Sequence, residues 1–249
     1  SQSAKQRVGD LSVERIALEV EPRLVVPVLL LIPPHEASKP LPVVVAVGQH
    51  GKQAFLKERS APIAELLAGG AAVCLPDLRG TGETRPDGDS RGRSSASTSL
   101  SSTELMLGQT LVGSRLRDLR SVLRYLRNHR ELDASRIALW GDSFAAPNPV
   151  DRRLEVPLDA DKLPDLAEPL GGLVVLLGAL FEDDIRAAYV RGGLVSFQSV
   201  LENPFCYVPH DAIIPSALTA GDIANVAASL APRPLRLESI VDGHNRSVT

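Results

Sequence analysis

Ser143 stands where a nucleophile would have to stand. It follows the apolar run Ile137-Ala138-Leu139-Trp140, in the stretch Gly141-Asp142-Ser143-Phe144-Ala145. A serine hydroxyl attacks at neutral pH only when a base takes its proton. A sharp turn at a strand end lifts the hydroxyl clear of the backbone when the residues two before and two after are small. It also frees the next N–H to bind an oxyanion. Gly141 and Ala145 are those small residues. The competing reading is a Ser that merely caps a helix. An oxyanion needs a second N–H, and the turn Gly48-Gln49-His50-Gly51 follows another apolar run. The expected donors are Gln49 or His50 together with Phe144. The plainer alternative there is a turn with a partly exposed His.

The acid of such a set must follow a later strand. Asp242, in Ile240-Val241-Asp242-Gly243-His244, does so, against the plainer reading of a turn-forming Asp-Gly. Asp183 and Asp184 precede a strand and fall at the wrong end. There are five histidines. His35 lies in a Pro-rich connection, His129 suits the negative end of a helix dipole, and His50 belongs to the oxyanion turn. His244 is best placed as the base, two residues past Asp242. One loop seldom lets an acid orient one imidazole nitrogen while the other reaches the serine. His210, in a connection that could cover a pocket, or a base outside this chain, is the alternative. Asp77 and Arg79 read as structural anchors of their loop.

The elements that would position these residues follow from periodicity. Residues 13–20 alternate and 24–34 are apolar, which predicts a strand hairpin. Continuous apolar runs at 41–48, 71–77 and 135–141 predict strands buried on both faces. Residues 59–70 read as a helix that takes Pro62 in its first turn. Residues 78–102 read as a long polar loop, closed by a capping box at Ser101 and Glu104. Behind it Leu105, Val112, Leu116, Leu119, Leu123 and Leu126 keep helical spacing, and the arginines between them read as a solvated face. Residues 145–169 read as irregular, 171–181 as a helix, 185–193 as a strand, 221–234 as a helix and 235–243 as a last strand. Strands alternating with helices imply an α/β fold, a mostly parallel central sheet with helices on both faces. Sites in such sheets lie beyond the carboxyl ends of the strands, where Ser143, Gln49, His50 and Asp242 are expected to fall.

Composition excludes several classes. In 249 residues the net charge is −3 and aromatic residues are 4%, so neither a basic nucleic-acid footprint nor a stacking surface is present. No apolar run is long enough to span a bilayer, and no signal peptide is evident. Two cysteines, Cys74 and Cys206, show no pairing or metal spacing. No metal cluster, phosphate loop or dinucleotide fingerprint is seen, so no cofactor is expected.

Four segments together resemble the α/β-hydrolase superfamily, in its acetyl-xylan-esterase-like and dienelactone-hydrolase-like branch. They are VVVAVGQHGK, VCLPDLRGTGET, RLRDLRSVLRYLRNHRELDASRIALWGDSFA and DIANVAASLAPRPLRLESIVDG. The resemblance implies a Ser–His–acid triad that cleaves esters through an acyl-enzyme, with Ser143 as nucleophile and Asp242 as acid. It suggests short acyl groups, such as acetyl on a carbohydrate. Three departures stand out. Ala145 replaces a glycine. Residues 146–169 form an insertion, a lid or a passive loop, within one domain spanning 1–249. The last helix and strand of that fold, with the His that follows them, are not found before Thr249, so the expectation is that His244 has taken over, that the chain is a fragment and the His lies in a further segment, or that a partner chain supplies it. Two functions follow: a serine esterase acting on a small-molecule or carbohydrate ester, or a non-catalytic α/β-hydrolase domain used for binding or assembly. A peptidase or lactonase on the same triad is a lesser third. An unfinished sheet edge would favour a homo-oligomer.

Overall fold

A computed structural model describes residues 1–36, 38–86, 95–155 and 163–248. Eight strands form one sheet in the order β1-β2-β3-β5-β4-β6-β7-β8. They are β1 (Gln2–Val8), β2 (Leu11–Glu21), β3 (Leu24–Ile32), β4 (Leu41–Gly48), β5 (Ala72–Pro76), β6 (Leu132–Asp142), β7 (Ile185–Arg191) and β8 (Leu235–Glu238). The first three pair antiparallel, and β3 meets β5 antiparallel. From β5 onward every neighbour is parallel. The helices are α1 (Gly51–Glu58), α2 (Ser60–Ala68), α3 (Ala96–Met106), α4 (Leu111–Arg127), α5 (Leu170–Phe181), α6 (Gln198–Leu201), α7 (Ala217–Ala220) and α8 (Ile223–Ser229). None among the described residues is long and apolar enough to cross a membrane.

Both faces of the sheet are covered, which is why the central runs are continuously apolar. On one face Phe55, Ile63 and Leu67 of α1 and α2 pack on Ala46, Leu75 and Trp140. On the other, Leu119, Leu123 and Leu126 of α4 and Leu173, Val174 and Ala179 of α5 pack on Val45, Cys74, Ile137 and Leu139. The backbone of α5 lies directly on the ends of β4 and β6. A Cβ at Gly171 would sit 2.6 Å from the Val47 carbonyl, and one at Gly141 would sit 2.3 Å from the Gly171 carbonyl. Only glycine permits that approach.

Several elements differ from expectation: α1, α6 and α7 form where no helix was expected, and β8 ends at Glu238 rather than 243. β1 is exposed throughout and carries no apolar alternation, so it forms by pairing its backbone with β2 rather than by burial. Part of the predicted loop 78–102 is helical: α3 begins after Ser95, whose side chain accepts from the Thr98 N–H. Ser101 therefore lies inside α3 and caps nothing. The long helix starts only at Leu111, capped by Thr110, and Leu105 belongs to α3. Residues 87–94 of that loop and 156–162 of the insertion lie outside the described residues. Nor is the arginine row of α4 simply solvated. Arg115 is fully buried against Asp211, while Arg120 and Arg127 pair with Glu182 and Asp184.

Candidate functional site

The ends of β4 and β6 bring Gln49, His50 and Phe144 together at one cavity of about 630 Å³. Ala145, Glu168, His210 and Asp211 share its wall. The segment around Ser143 is fixed from behind. Arg59 donates twice to the buried Asp142 carboxylate, at 2.8 and 2.9 Å, and once to the Ser143 carbonyl at 3.2 Å. Trp140 Nε1 completes the set on Asp142 at 3.1 Å. The Arg59 guanidinium also stacks 4.9 Å from the centre of the Phe144 ring, and that ring meets Phe55 edge-on.

Ser143 continues the ladder of β6. Its N–H donates to the Arg191 carbonyl at 3.1 Å. Its side chain lies against Gly192, where a Cβ would sit 2.5 Å from the Ser143 Cβ. The expected strand-to-helix turn is not built here. Ser143 is not among the residues with positive φ, and the chain runs irregularly until α5 begins at Leu170. Pro147 and Pro149 explain this: each lacks an N–H and forces the residue before it toward extended backbone. The helix that packs behind Ser143 is α5, reached only after the insertion. Ser143 does not line the cavity, and its hydroxyl meets no imidazole among the described residues.

The Phe144 N–H does point at an anion, but that anion belongs to the chain. It donates to Glu168 Oε2 at 2.7 Å, and the Ala145 N–H donates to the same carboxylate. The other oxygen, Oε1, lies 2.7 Å from His50 Nε2. Burial pushes the Glu168 carboxyl up, yet His50 and the two amides outweigh it and hold it below its ordinary value. Glu168 is not singled out by the sequence, because it lies in a stretch that reads as irregular. The available signal was its place in Glu168-Pro169-Leu170-Gly171-Gly172, just ahead of an apolar helix.

Asp242 and His244 stand apart from this cavity. Asp242 Oδ1 accepts the N–H groups of His244 and Arg246, each at 2.9 Å, and so closes its own turn. Its Oδ2 lies 3.9 Å from His244 Nδ1, too far for a hydrogen bond. His244 Nε2 is buried without a hydrogen-bond partner among the described residues. The turn packs on the segment after Ser143: Asn148 donates to the His244 carbonyl, and Asn245 donates to that of Ala146, both at 2.9 Å. His210 lines the cavity with Nδ1 3.1 Å from Ser101 Oγ. Asp77 and Arg79 anchor their loop as expected. Asp77 accepts from Lys52 and Glu83, and Arg79 grips Asp118. Among the described residues, Glu14, His129 and Glu131 have metal-ligand spacing, but the Lys5 ammonium already bridges the two carboxylates.

No family model and no curated protein matches the chain. Solved structures do. A candidate acetyl xylan esterase from Bacteroides fragilis superposes with a TM-score of 0.73 at 18% identity, covering 94% of this chain and 60% of its own. An acetyl xylan esterase from a Paenibacillus species gives 0.54 at 18% identity, over 82% of this chain and 58% of its own. A glucuronoyl esterase from Solibacter usitatus gives 0.56 at 15% identity, over 98% and 69%. This chain thus spans about 60% of the length of the first two. The parallel sheet, its antiparallel first strands and the helices on both faces are the α/β-hydrolase fold, in the form these esterases share.

Proposed function

We propose that this chain is a carboxylic ester hydrolase domain that cleaves short-acyl esters on carbohydrate by a serine mechanism. The observation that carries the reading is the pair of amides at Phe144 and Ala145. They follow the candidate nucleophile directly and hold a negatively charged oxygen at a cavity wall. Donors aimed at the site of developing charge are the largest single aid to acyl transfer. The three esterases named above support the substrate class. In the proposed reaction Ser143 Oγ attacks the ester carbonyl while an imidazole takes its proton. The carbonyl oxygen becomes an oxyanion on the Phe144 N–H. The alcohol leaves with the proton, and water then releases the acid from the acyl-serine.

His244 serves as the base in this reading, since its Nε2 has no partner among the described residues and Asp242 is its neighbouring acid. Three movements are required: Glu168 leaves the amides, the His244 imidazole reaches Ser143 Oγ, and Asp242 closes on His244. A second reading is favoured by the resting geometry. With Glu168 on the amides and no imidazole at Ser143, the domain binds a ligand without turnover.

Intact mass after incubation with a fluorophosphonate, with p-nitrophenyl acetate hydrolysis alongside, separates the two. One adduct that is lost in Ser143→Ala supports the hydrolase, and His244→Ala, His210→Ala and His50→Ala then locate the base. A folded protein with neither adduct nor turnover supports the binding domain.

A further inference from the structure

β8 is the last strand of the sheet and pairs on one side only, parallel to β7. The Ala188 N–H donates to the Pro234 carbonyl at 3.0 Å, and the Gly192 N–H donates to that of Glu238 at 2.9 Å. Backbone groups alternate along a strand, so Pro234, Arg236 and Glu238 turn theirs to β7 while Leu235 and Leu237 turn theirs to the other edge. No strand among the described residues meets that edge. Beyond Ser239 it is closed: the Val248 N–H donates to the Ile240 carbonyl at 2.9 Å, and Val241 bridges Ser247. The open stretch is therefore Leu235–Glu238. Its side chains divide by face. Leu237 is 45% exposed and lies with Ile240 and Val248 at an apolar groove of about 340 Å³ against α5 and α8. On the opposite face Arg236 stacks 5.6 Å from the centre of the Tyr189 ring and donates to Glu238 Oε2 at 2.8 Å, where the Tyr189 hydroxyl also donates.

An open edge is a template for another strand, and the charges on this one select which. Two copies related by a two-fold axis present the same surface to each other, so their β8 strands meet antiparallel. Residues must then pair in phase, those facing outward with those facing outward. A register centred on Arg236 sets Arg236 against itself, and one centred on Glu238 sets Glu238 against itself. Like charges directly opposite are destabilising. Centring on Leu235 carries Leu237 past the strand, opposite Arg233. Centring on Leu237 has none of these faults. Each Leu237 exchanges both its backbone bonds with its counterpart, and Arg236 stands opposite Glu238 twice over. The two Leu237 side chains meet on the groove side, beside Val248. The other free edge, β1, has Lys5 and Arg7 as its only charges, so a second copy offers it no opposite charge.

We infer that β8 is a self-association edge, along which two copies of this chain pair antiparallel about Leu237 into one continuous sheet. The contact is short, so the dimer is weak and reversible. It stands on the sheet edge alone and is independent of the esterase reading. Sedimentation equilibrium of the full chain over a rising concentration series tests it. The mass is expected to climb from that of one chain towards that of two. Leu237→Pro removes only an outward N–H, which an edge strand tolerates, and should abolish the rise. Arg236→Glu or Glu238→Arg alone sets like charges opposite each other at two places, and each should weaken association about ten-fold. The double variant puts opposite charges back across the axis and should recover most of it. Circular dichroism is read on every variant, and where Leu237→Pro does not fold, the charge series decides alone. The mass of a single chain at every concentration overturns the inference. So does a dimer that Leu237→Pro leaves intact, or one that the single charge reversals weaken no more than the double.

Discussion

Replacing Glu168 with Ala should both weaken the fold and bare the amides after Ser143. The carboxylate accepts from the Phe144 N–H at 2.7 Å, from the Ala145 N–H, and lies 2.7 Å from His50 Nε2. Hydrogen bonds to a charged group contribute about 1.5–3 kcal/mol each. Burial of the ion, only 8% exposed, offsets a large part of that. The depressed carboxyl pKa shows which side wins: the charged form is favoured in the folded state. A net loss of about 2 kcal/mol is expected for the variant at pH 7, because cavity water can then meet the freed amides. For a chain of this size that lowers Tm by about 4–8 °C.

The sign with pH is fixed by the direction of the shift. A carboxyl whose folded pKa lies below the unfolded 4.5 contributes fully above that value and loses its contribution as pH falls through the folded pKa. The Tm gap between native protein and variant should therefore be widest near neutrality and close below pH 4.5. Thermal scans across acid and neutral buffers measure it, with Glu168→Gln as the variant that keeps the volume and loses the charge. Equal melting at pH 7, or a gap indifferent to acid, would refute the reasoning about the carboxylate. Glu168→Ala should react faster with fluorophosphonate, since the Phe144 N–H is free to meet the phosphonyl oxygen. An unchanged rate would remove Phe144 from the oxyanion hole.

Arg59→Ala leaves the buried Asp142 carboxylate with Trp140 alone, and should cost about 3 kcal/mol or more by urea titration. Gly171→Ala should destabilise by about 1–3 kcal/mol despite the better helix propensity of Ala, because its Cβ meets the backbone of Val47 and Asp142. A stabilised variant would show that α5 can lift from the strand ends at no cost. Burial pushes the Cys74 thiol well up, while Cys206 is exposed. Iodoacetamide should therefore add once to the native protein and twice after unfolding, as read by mass.

Much of the sheet was legible because burial writes itself into spacing. Residues 41–48 and 72–76 are apolar runs because helices cover both faces, and Ile16 and Leu18 alternate because one face of β2 is covered. β1 was not legible, since its stability comes from a backbone ladder that leaves no trace in side-chain type. α3 was hidden by its Ser and Thr residues, which favour loops and caps over helix interiors. The strand-end filter located Gln49, His50 and Phe144 on one cavity, which is a property of topology. It could not supply Glu168 or Arg115. Glu168 acts on Phe144 from 24 residues away and on His50 from 118, and the Asp211 partner of Arg115 is 96 residues on. Charge spoke for solvent at both positions, and only a distant partner reverses that.

The crossover between β6 and α5 leaves at Asp142 and returns at Leu170, with the backbones of Gly141 and Gly171 pressed together at its neck. A loop clamped at its ends lengthens at small entropic expense: each doubling adds only about 0.6 kcal/mol. Residues can thus be inserted, lost or exchanged between positions 149 and 164, clear of the contacts of Phe144, Asn148 and Glu168, while the strand order and the helix seat stay as they are. Both ends of that excursion, at Ala145 and Glu168, line the cavity. Variation in the stretch between them would retune what the domain admits while the contacts of Glu168 stay in place, which makes this crossover a place where relatives of the fold can diverge in preference.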